Sequence, residues 1–328
     1  MCGHATLALG RFLVDTYDAM VFPRRSLLSV NTSHQRVALT LHTPCGLVDV
    51  SVPILSTATT EQSSVIKSDP SRAVWFLSVP SFAAAIDLLL DIPDAYCWPE
   101  LLASRSHKVK LDIAFGGAFY AIVTVDALGF PGRKSLYAGL DGDIYSIAAL
   151  DRATSLLKAY LTSTKEIRKF LHHPSSPDLE YLYGVIVVDP NQPETAGNVN
   201  PQNNPCSLGS SDDISEVGIC FFADQQIDRS PCGSGVCARV ALAMAKGTRQ
   251  LEVSGMYHSL VTRRKGEGAF VASAVERVLL DHEDETFGMT RGLEAWVIKV
   301  EGYAYYTDTA TFVVEKGDNI GREGFTLY

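Results

Sequence analysis

The chain has 328 residues, 46% of them hydrophobic and 20% charged, with a formal net charge of −9. That length can bury a large core and suggests two domains. The negative balance argues against nucleic acid or an anionic membrane as a partner, and no apolar run is long enough to span a bilayer.

At the start, "MCGHATLALGRF" sets Ala5, Leu9, Phe12 and Leu13 at the spacing of one helix face over 5–14. No basic segment followed by an apolar one marks a secretory signal. "RVALTLHTPCGLVDVSV" alternates and turns at Pro44–Gly46, as a hairpin does. "SVPSFAAAIDLLLDI" reads as a loop followed by a helix capped by Ser81. "VKLDIAFGGAFYAIVTVDAL" reads as strand, Gly–Gly turn, strand, and a long amphipathic helix is expected from near Asp151. "YLYGVIVVD" and "EVGICFFAD" are strong strand patterns. The stretch between them, 191–214, is rich in Pro, Asn, Ser and Gly and reads as a long flexible loop. "DRSPCGSGVCARVALAMAKG" predicts a helix with Val236, Val240, Ala243 and Met244 on one face, stopping at Lys246–Gly247. "GAFVASAVERVLL", "EAWVIKVEG" and "ATFVVEK" predict three more strands. Single long helices between groups of strands indicate an α+β fold in two halves, not a regularly alternating parallel sheet.

The seven cysteines are scattered and odd in number, with no CxxC pair, which is not a disulfide framework and fits a reduced, cytoplasmic setting. Cys232, Cys237 and the distant His258 lack the spacing of a zinc site, and no metal is expected. His172 and His173 read as a solvated loop pair.

Two of the cysteines share a context. Cys2-Gly3-His4-Ala5 and Cys232-Gly233-Ser234-Gly235 each open a predicted helix with cysteine, glycine, a polar residue and a small one. This short internal repeat suggests two related half-sites. A thiol at a helix N-terminus has its anion stabilised by unpaired N–H groups and the helix dipole. The glycines let a ligand approach the backbone. Facing each other, the two sites would hold a carboxylate and set one sulfur on each side of the bound molecule. Inverting a stereocentre without a cofactor needs a base on one face, an acid on the other, and fixed dipoles for the carbanion. The plain alternative is that both cysteines are small core residues. His4 could likewise be a core histidine, and Asp228 could pair with Arg229 or receive a substrate ammonium. Ser230 and Pro231 read as turn and helix-start residues.

At these motifs the sequence resembles the proline racemase family: "MCGH" is similar to its first cysteine motif and "DRSPCGSG" to its second. "VPSF", "DIAFGGAFYAIV" and "GYAYYTDTATFVVEKGD" lie where the family has similar blocks. The resemblance runs along the whole chain. It implies a diaminopimelate-epimerase-like fold, with two similar halves each wrapping sheets around a central helix and the site in the cleft between them. It also implies a cofactor-independent isomerase acting on a small imino acid, with a homodimer left open. Carried over by motif, Cys2 and Cys232 become the acid/base pair. His4 and Asp228 contact the substrate amine or ring, Gly3, Gly233 and Ser234 supply backbone groups to the carboxylate, and Phe222 is an aromatic wall. The family's trans-3-hydroxy-L-proline dehydratases typically carry threonine at the second cysteine, so Cys232 favours racemisation or epimerisation of proline or 4-hydroxyproline. Dehydration, or an inactive family member, are the alternatives. Ala5 replaces a glycine usual after "MCGH", and Asp308 stands where the family commonly has glycine. The family's strands ahead of "MCGH" are absent here. The halves are expected at 1–108, completed by 317–328, and at 109–316.

Overall fold

The computed structural model describes residues 2–55, 66–130, 136, 145–189, 214–284, 289–311 and 313–319. Helix α1 (Gly3–Asp15) comes first, followed by β1 (Val30–Asn31), β2 (Arg36–Thr43), β3 (Gly46–Pro53), β4 (Val74–Leu77) and β5 (Phe82–Asp91). After the short α2 (Pro99–Ala103) come β6 (Lys108–Phe115) and β7 (Phe119–Thr124), then α3 (Ile147–Ser163) and α4 (Lys165–Arg168). β8 (Leu182–Val188), β9 (Ile214–Phe222) and β10 (Gln226–Ile227) precede α5 (Gly233–Ala245). β11 (Gly255–His258), α6 (Leu260–Lys265), β12 (Phe270–Asp284) and β13 (Met289–Gly302) complete the elements.

The strands form one continuous path, β1-β2-β3-β4-β13-β12-β11-β9-β8-β7-β6-β5, with β10 paired to β9. The chain leaving β4 runs on along β13. Ser78 donates its N–H to Ile298, and Ser81 exchanges both backbone hydrogen bonds with Trp296 at 2.8 and 2.9 Å. That bridge brings the end of the path back to β13, so the strands from β13 round to β5 enclose α5. Enclosure explains why every residue from Gly233 to Leu242 is buried, including Arg239. The Arg239 charge is met by Glu216 at 2.7 Å and lies over the Tyr257 ring, as a buried cation requires. A helix surrounded by strands needs small residues at close approaches. Where the Gly116 turn crosses the first turn of α5, a Cβ on Gly116 would stand 2.1 Å from the Ser234 carbonyl oxygen. Helix α1 packs on β2, β3, β4 and β13. No helix among the described residues is long and apolar enough to cross a membrane.

The β2–β3 hairpin, the Gly–Gly turn between β6 and β7, strands β8 and β9 and the stop of α5 all match the sequence pattern. Several expectations are corrected. Residues 82–91 form strand β5, not a helix. Their alanines and leucines favour helix weakly, but pairing with β6 through two bulges, at Ala83/Ala85 and Ala85/Leu88, overrides a propensity of a few tenths of a kcal/mol per residue. Ser81 is a bridge residue and caps nothing. The face of α1 that packs inward is Gly3, Thr6, Leu7, Gly10 and Val14, whereas Leu9 and Phe12 are exposed at 45% and 38%. Close approach to β3 selects the face with glycines: a Cβ on Gly10 would lie 2.7 Å from Val50 Cγ1. Helix α3 starts at Ile147, capped by Ser146, because Leu150 already belongs to its buried stripe. "ATFVVEK" pairs with nothing as a strand among its described residues, and Val313 is 88% exposed. His173 is buried and packs its ring against Phe115 at 4.6 Å, while His172 is the solvated one, paired with Glu180. The loop expected over 191–214 lies outside the described residues apart from its last position, as does 320–328.

Candidate active site

The two cysteine-led helices meet start to start. Gly3 and Gly233, the first residues of α1 and α5, are in backbone contact. A Cβ on Gly3 would stand 2.7 Å from the Gly233 Cα, and one on Gly233 would stand 2.4 Å from the Gly3 Cα. Only residues without side chains allow this approach. Cys2 and Cys232 are the N-caps, and neither start has a side-chain cap. The first-turn N–H groups of both helices are therefore available to a shared anion.

Cys232 has φ +67°, a left-handed conformation costly for a residue with a Cβ. The turn before it is tied down: Asp228 Oδ1 accepts from the Ser230 N–H at 2.8 Å, and Ser230 Oγ accepts from the Cys232 N–H at 3.2 Å. The Cys232 side chain is buried, and a Cβ on Gly235 would stand 3.0 Å from its sulfur. Interaction with the Cys220 thiol foremost, and then with Tyr120 and the Gly235 N–H, holds the pKa of this thiol below its ordinary value against the opposing effects of burial and of Asp228. Cys220 is pushed well above its ordinary value, first because its proton is engaged by Cys232 and then by burial. Tyr120 is also held well above its ordinary value, mainly by burial. Its hydroxyl lies 2.7 Å from Ser234 Oγ and 3.4 Å from Cys232 Sγ. Cys2, by contrast, is exposed.

His4 lies against the Phe270 ring at 4.6 Å. Burial lowers its pKa, and the Asp228 carboxylate partly opposes this. Among the described residues no ion pair joins Asp228 to Arg229. Phe222 is half-buried and stacks on Tyr183 with ring planes 20° apart, and Tyr183 meets Tyr120 edge-on. Burial raises Tyr183, with the fields of Cys232 and Cys220 adding to the shift, and Tyr183 and Phe222 pack on the buried cluster that contains Cys232 and Tyr120. The structure thus gathers Cys2, Gly3, His4, Phe222, Asp228, Cys232, Gly233 and Ser234 around one junction. The Ser234 side chain is engaged with Tyr120, so what it can offer a ligand is its backbone.

Sequence reasoning missed Tyr120, Tyr183 and Cys220. One signal was present for Cys220: it stands two residues before Phe222 on β9 and so shares its face. Tyr120 and Tyr183 sit on β7 and β8, and only the folding of those strands around α5 brings them to Cys232. Asp94, Cys97 and His107 form the His/Cys/Asp/Glu grouping with metal-ligand spacing among the described residues, and none of them belongs to this site.

Residues 1–326 match the family described as Proline racemase. The chain is 34% identical over 330 residues to a trans-3-hydroxy-L-proline dehydratase of Homo sapiens, covering 100% of this chain and 71% of that protein. It is 28% identical to a Bacillus cereus protein of the same name, covering 100% of this chain and 73% of the relative. In fold it is similar to a "probable proline racemase" from Agrobacterium radiobacter solved with bound carbonate. The TM-score is 0.60 at 18% identity, covering 100% of this chain and 72% of the other. A hydroxyproline epimerase from Agrobacterium vitis with bound trans-4-hydroxy-L-proline gives a TM-score of 0.58 at 17% identity, covering 94% and 66%.

Proposed function

Because the chain belongs to the proline racemase family, matched over residues 1–326, we propose that it racemises or epimerises the α-carbon of a proline-like imino acid by passing protons between Cys2 and Cys232. The observation that carries this reading is the contact of Gly3 with Gly233, which sets the two cysteine-led helix starts side by side. A substrate carboxylate accepts hydrogen bonds from the first-turn N–H groups of both helices. Asp228 accepts from the ring ammonium, with His4 beside it, and Tyr183 and Phe222 flank the ring. The Cys232 thiolate, favoured by the Cys220 and Tyr120 hydrogen bonds, removes the α-proton. The negative charge spreads into the carboxylate, where the N–H dipoles are fixed in advance. The Cys2 thiol delivers a proton to the opposite face. The reverse reaction exchanges the two roles.

A second reading is dehydration of trans-3-hydroxy-L-proline, favoured by the names of the relatives at 34% identity. It needs a single base while the 3-hydroxyl leaves. Incubation in D2O with L-proline, trans-4-hydroxy-L-proline and trans-3-hydroxy-L-proline, followed by NMR, separates the two. Inversion with deuterium at the α-carbon supports the two-thiol reading. Loss of water to a cyclic imine, without inversion of the other substrates, supports the second. No reaction with any of the three overturns both.

A further inference from the structure

At the far end of the β5–β6 pair, four donor atoms converge. Asp94, Cys97 and His107 offer ligand atoms that all lie within 4.8 Å of one another. His107 Nδ1 lies 3.6 Å from Cys97 Sγ, 3.4 Å from Asp94 Oδ1 and 3.3 Å from the Ile92 carbonyl oxygen. Cys97 Sγ lies 3.5 Å from that same carbonyl. The local sequence produces this cluster. Asp94–Tyr96 is one 3-10 turn, in which side chains three residues apart eclipse, so Asp94 and Cys97 stand on the same side. The backbone of Ile92 donates to His107 at 2.7 Å, extending the Asp91–Lys108 pairing by one step and bringing the histidine alongside. Ile92 and Trp98 on either side of the turn are fully buried and hold it in place.

A cysteine, a histidine and an aspartate could also suggest a nucleophile with its relay. The geometry is wrong for that, because a relay uses the two ring nitrogens in opposite directions. Here thiol, carboxylate and carbonyl all crowd Nδ1, and one ring nitrogen can make only one good hydrogen bond. The S···N and N···O spacings at His107 Nδ1 instead match two edges of a coordination tetrahedron. With Zn–S about 2.3 Å and Zn–N and Zn–O about 2.1 Å, the S···N edge comes to about 3.6 Å and the N···O edge to about 3.4 Å.

We propose that Asp94, Cys97 and His107, with the Ile92 carbonyl as the fourth donor, form a binding site for a borderline-soft divalent cation of the zinc type. A thiolate with an imidazole excludes calcium and magnesium, which take oxygen ligands. Binding exchanges the S–H bond of Cys97 for a metal–sulfur bond and releases that proton to solvent, so affinity rises with pH. The cation would clip the connection between β5 and β6. It lies about 30 Å along β6 from the Gly116 turn that packs on the start of α5, so the site is independent of the proposed reaction.

The test is titration of the chelator-stripped full chain with Zn2+ by calorimetry, and with Co2+ by absorption. The expected result is one equivalent bound, one proton released, and a thiolate-to-cobalt charge-transfer band. The band persists in the double variant Cys2→Ser/Cys232→Ser and is lost in Cys97→Ser. Asp94→Asn changes an exposed side chain and His107→Gln a half-exposed one, so neither threatens the fold, and each weakens binding about tenfold or more. No binding, a band that survives Cys97→Ser, or one that disappears in the double variant overturns the proposal.

Discussion

Replacing Gly233 by alanine tests the helix junction directly. The new Cβ would stand 2.4 Å from the Gly3 Cα and 2.8 Å from the Gly3 nitrogen. Non-bonded carbons rest at about 3.5–4.0 Å, so the shortfall exceeds about 1 Å. Both crowded atoms belong to backbone, and no rotamer change can relieve them. Either α1 retreats or α5 tilts. Overpacking of this kind costs about 1–3 kcal/mol of stability. A displacement of about 1 Å between catalytic groups costs on the order of 10²-fold in rate. Gly10→Ala is the matched control. It meets the Val50 Cγ1 methyl at 2.7 Å, a side chain that can turn aside, and lies two helical turns from the junction. Urea unfolding gives the stability change, and α-proton exchange of the imino acid in D2O, followed by NMR, gives the rate. We expect Gly233→Ala to lose about a hundredfold in exchange and Gly10→Ala to keep most of it at a comparable loss of stability. A Gly233→Ala protein that is destabilised yet exchanges at the normal rate would refute the argument that both helix starts act on one ligand. One that is neither destabilised nor slowed would refute the contact itself.

Cys2→Ser and Cys232→Ser should each abolish racemisation, since each removes the proton carrier on one face; polarimetry with proline or 4-hydroxyproline reads the outcome, and full turnover by either variant would exclude the two-thiol scheme. Cys220→Ala and Tyr120→Phe each remove a hydrogen bond that favours the Cys232 thiolate, so the ascending limb of kcat/KM against pH should move to higher pH, further for Cys220→Ala. An unmoved limb in both would mean that Cys232 is not the titrating base. His258 is buried, and burial lowers its pKa from 6.5 to about 4. The unfolded chain takes up that proton near pH 6.5 and the folded chain only near 4. Stability should therefore be complete above pH 6.5 and fall as the pH drops through this window, by on the order of 3 kcal/mol. His258→Leu should flatten that part of the curve in urea melts at successive pH values.

The repeated cysteine–glycine openings were legible in the sequence because a helix start has a local signature: a small run of residues whose N–H groups are unpaired whatever the rest of the chain does. The hairpin at Pro44–Gly46 and the Gly–Gly turn after Phe115 were legible for the same reason, since turns are set by neighbours in sequence. What lay beyond the sequence was everything decided by distant partners. Residues 82–91 have a composition that suits a helix, and they are a strand because β6 pairs with them and Trp296 anchors Ser81 at their entry. The apolar spacing of α1 correctly indicated a helix but pointed to the wrong side of it. The buried face was chosen by how closely β3 and the start of α5 approach, which favours Gly3 and Gly10 over the larger Leu9 and Phe12. Tyr120 and Tyr183 carry no local mark of a role, and Cys220 carries only its shared strand face with Phe222. They reach Cys232 because β7, β8 and β9 wrap around α5, and the hydrogen bonds that depress its pKa exist only once that wrapping has removed water. The chain's own order of residues determined that two cysteines stand at helix starts. The tertiary structure decided that they share one junction, through a backbone contact that two glycines some 230 positions apart make possible.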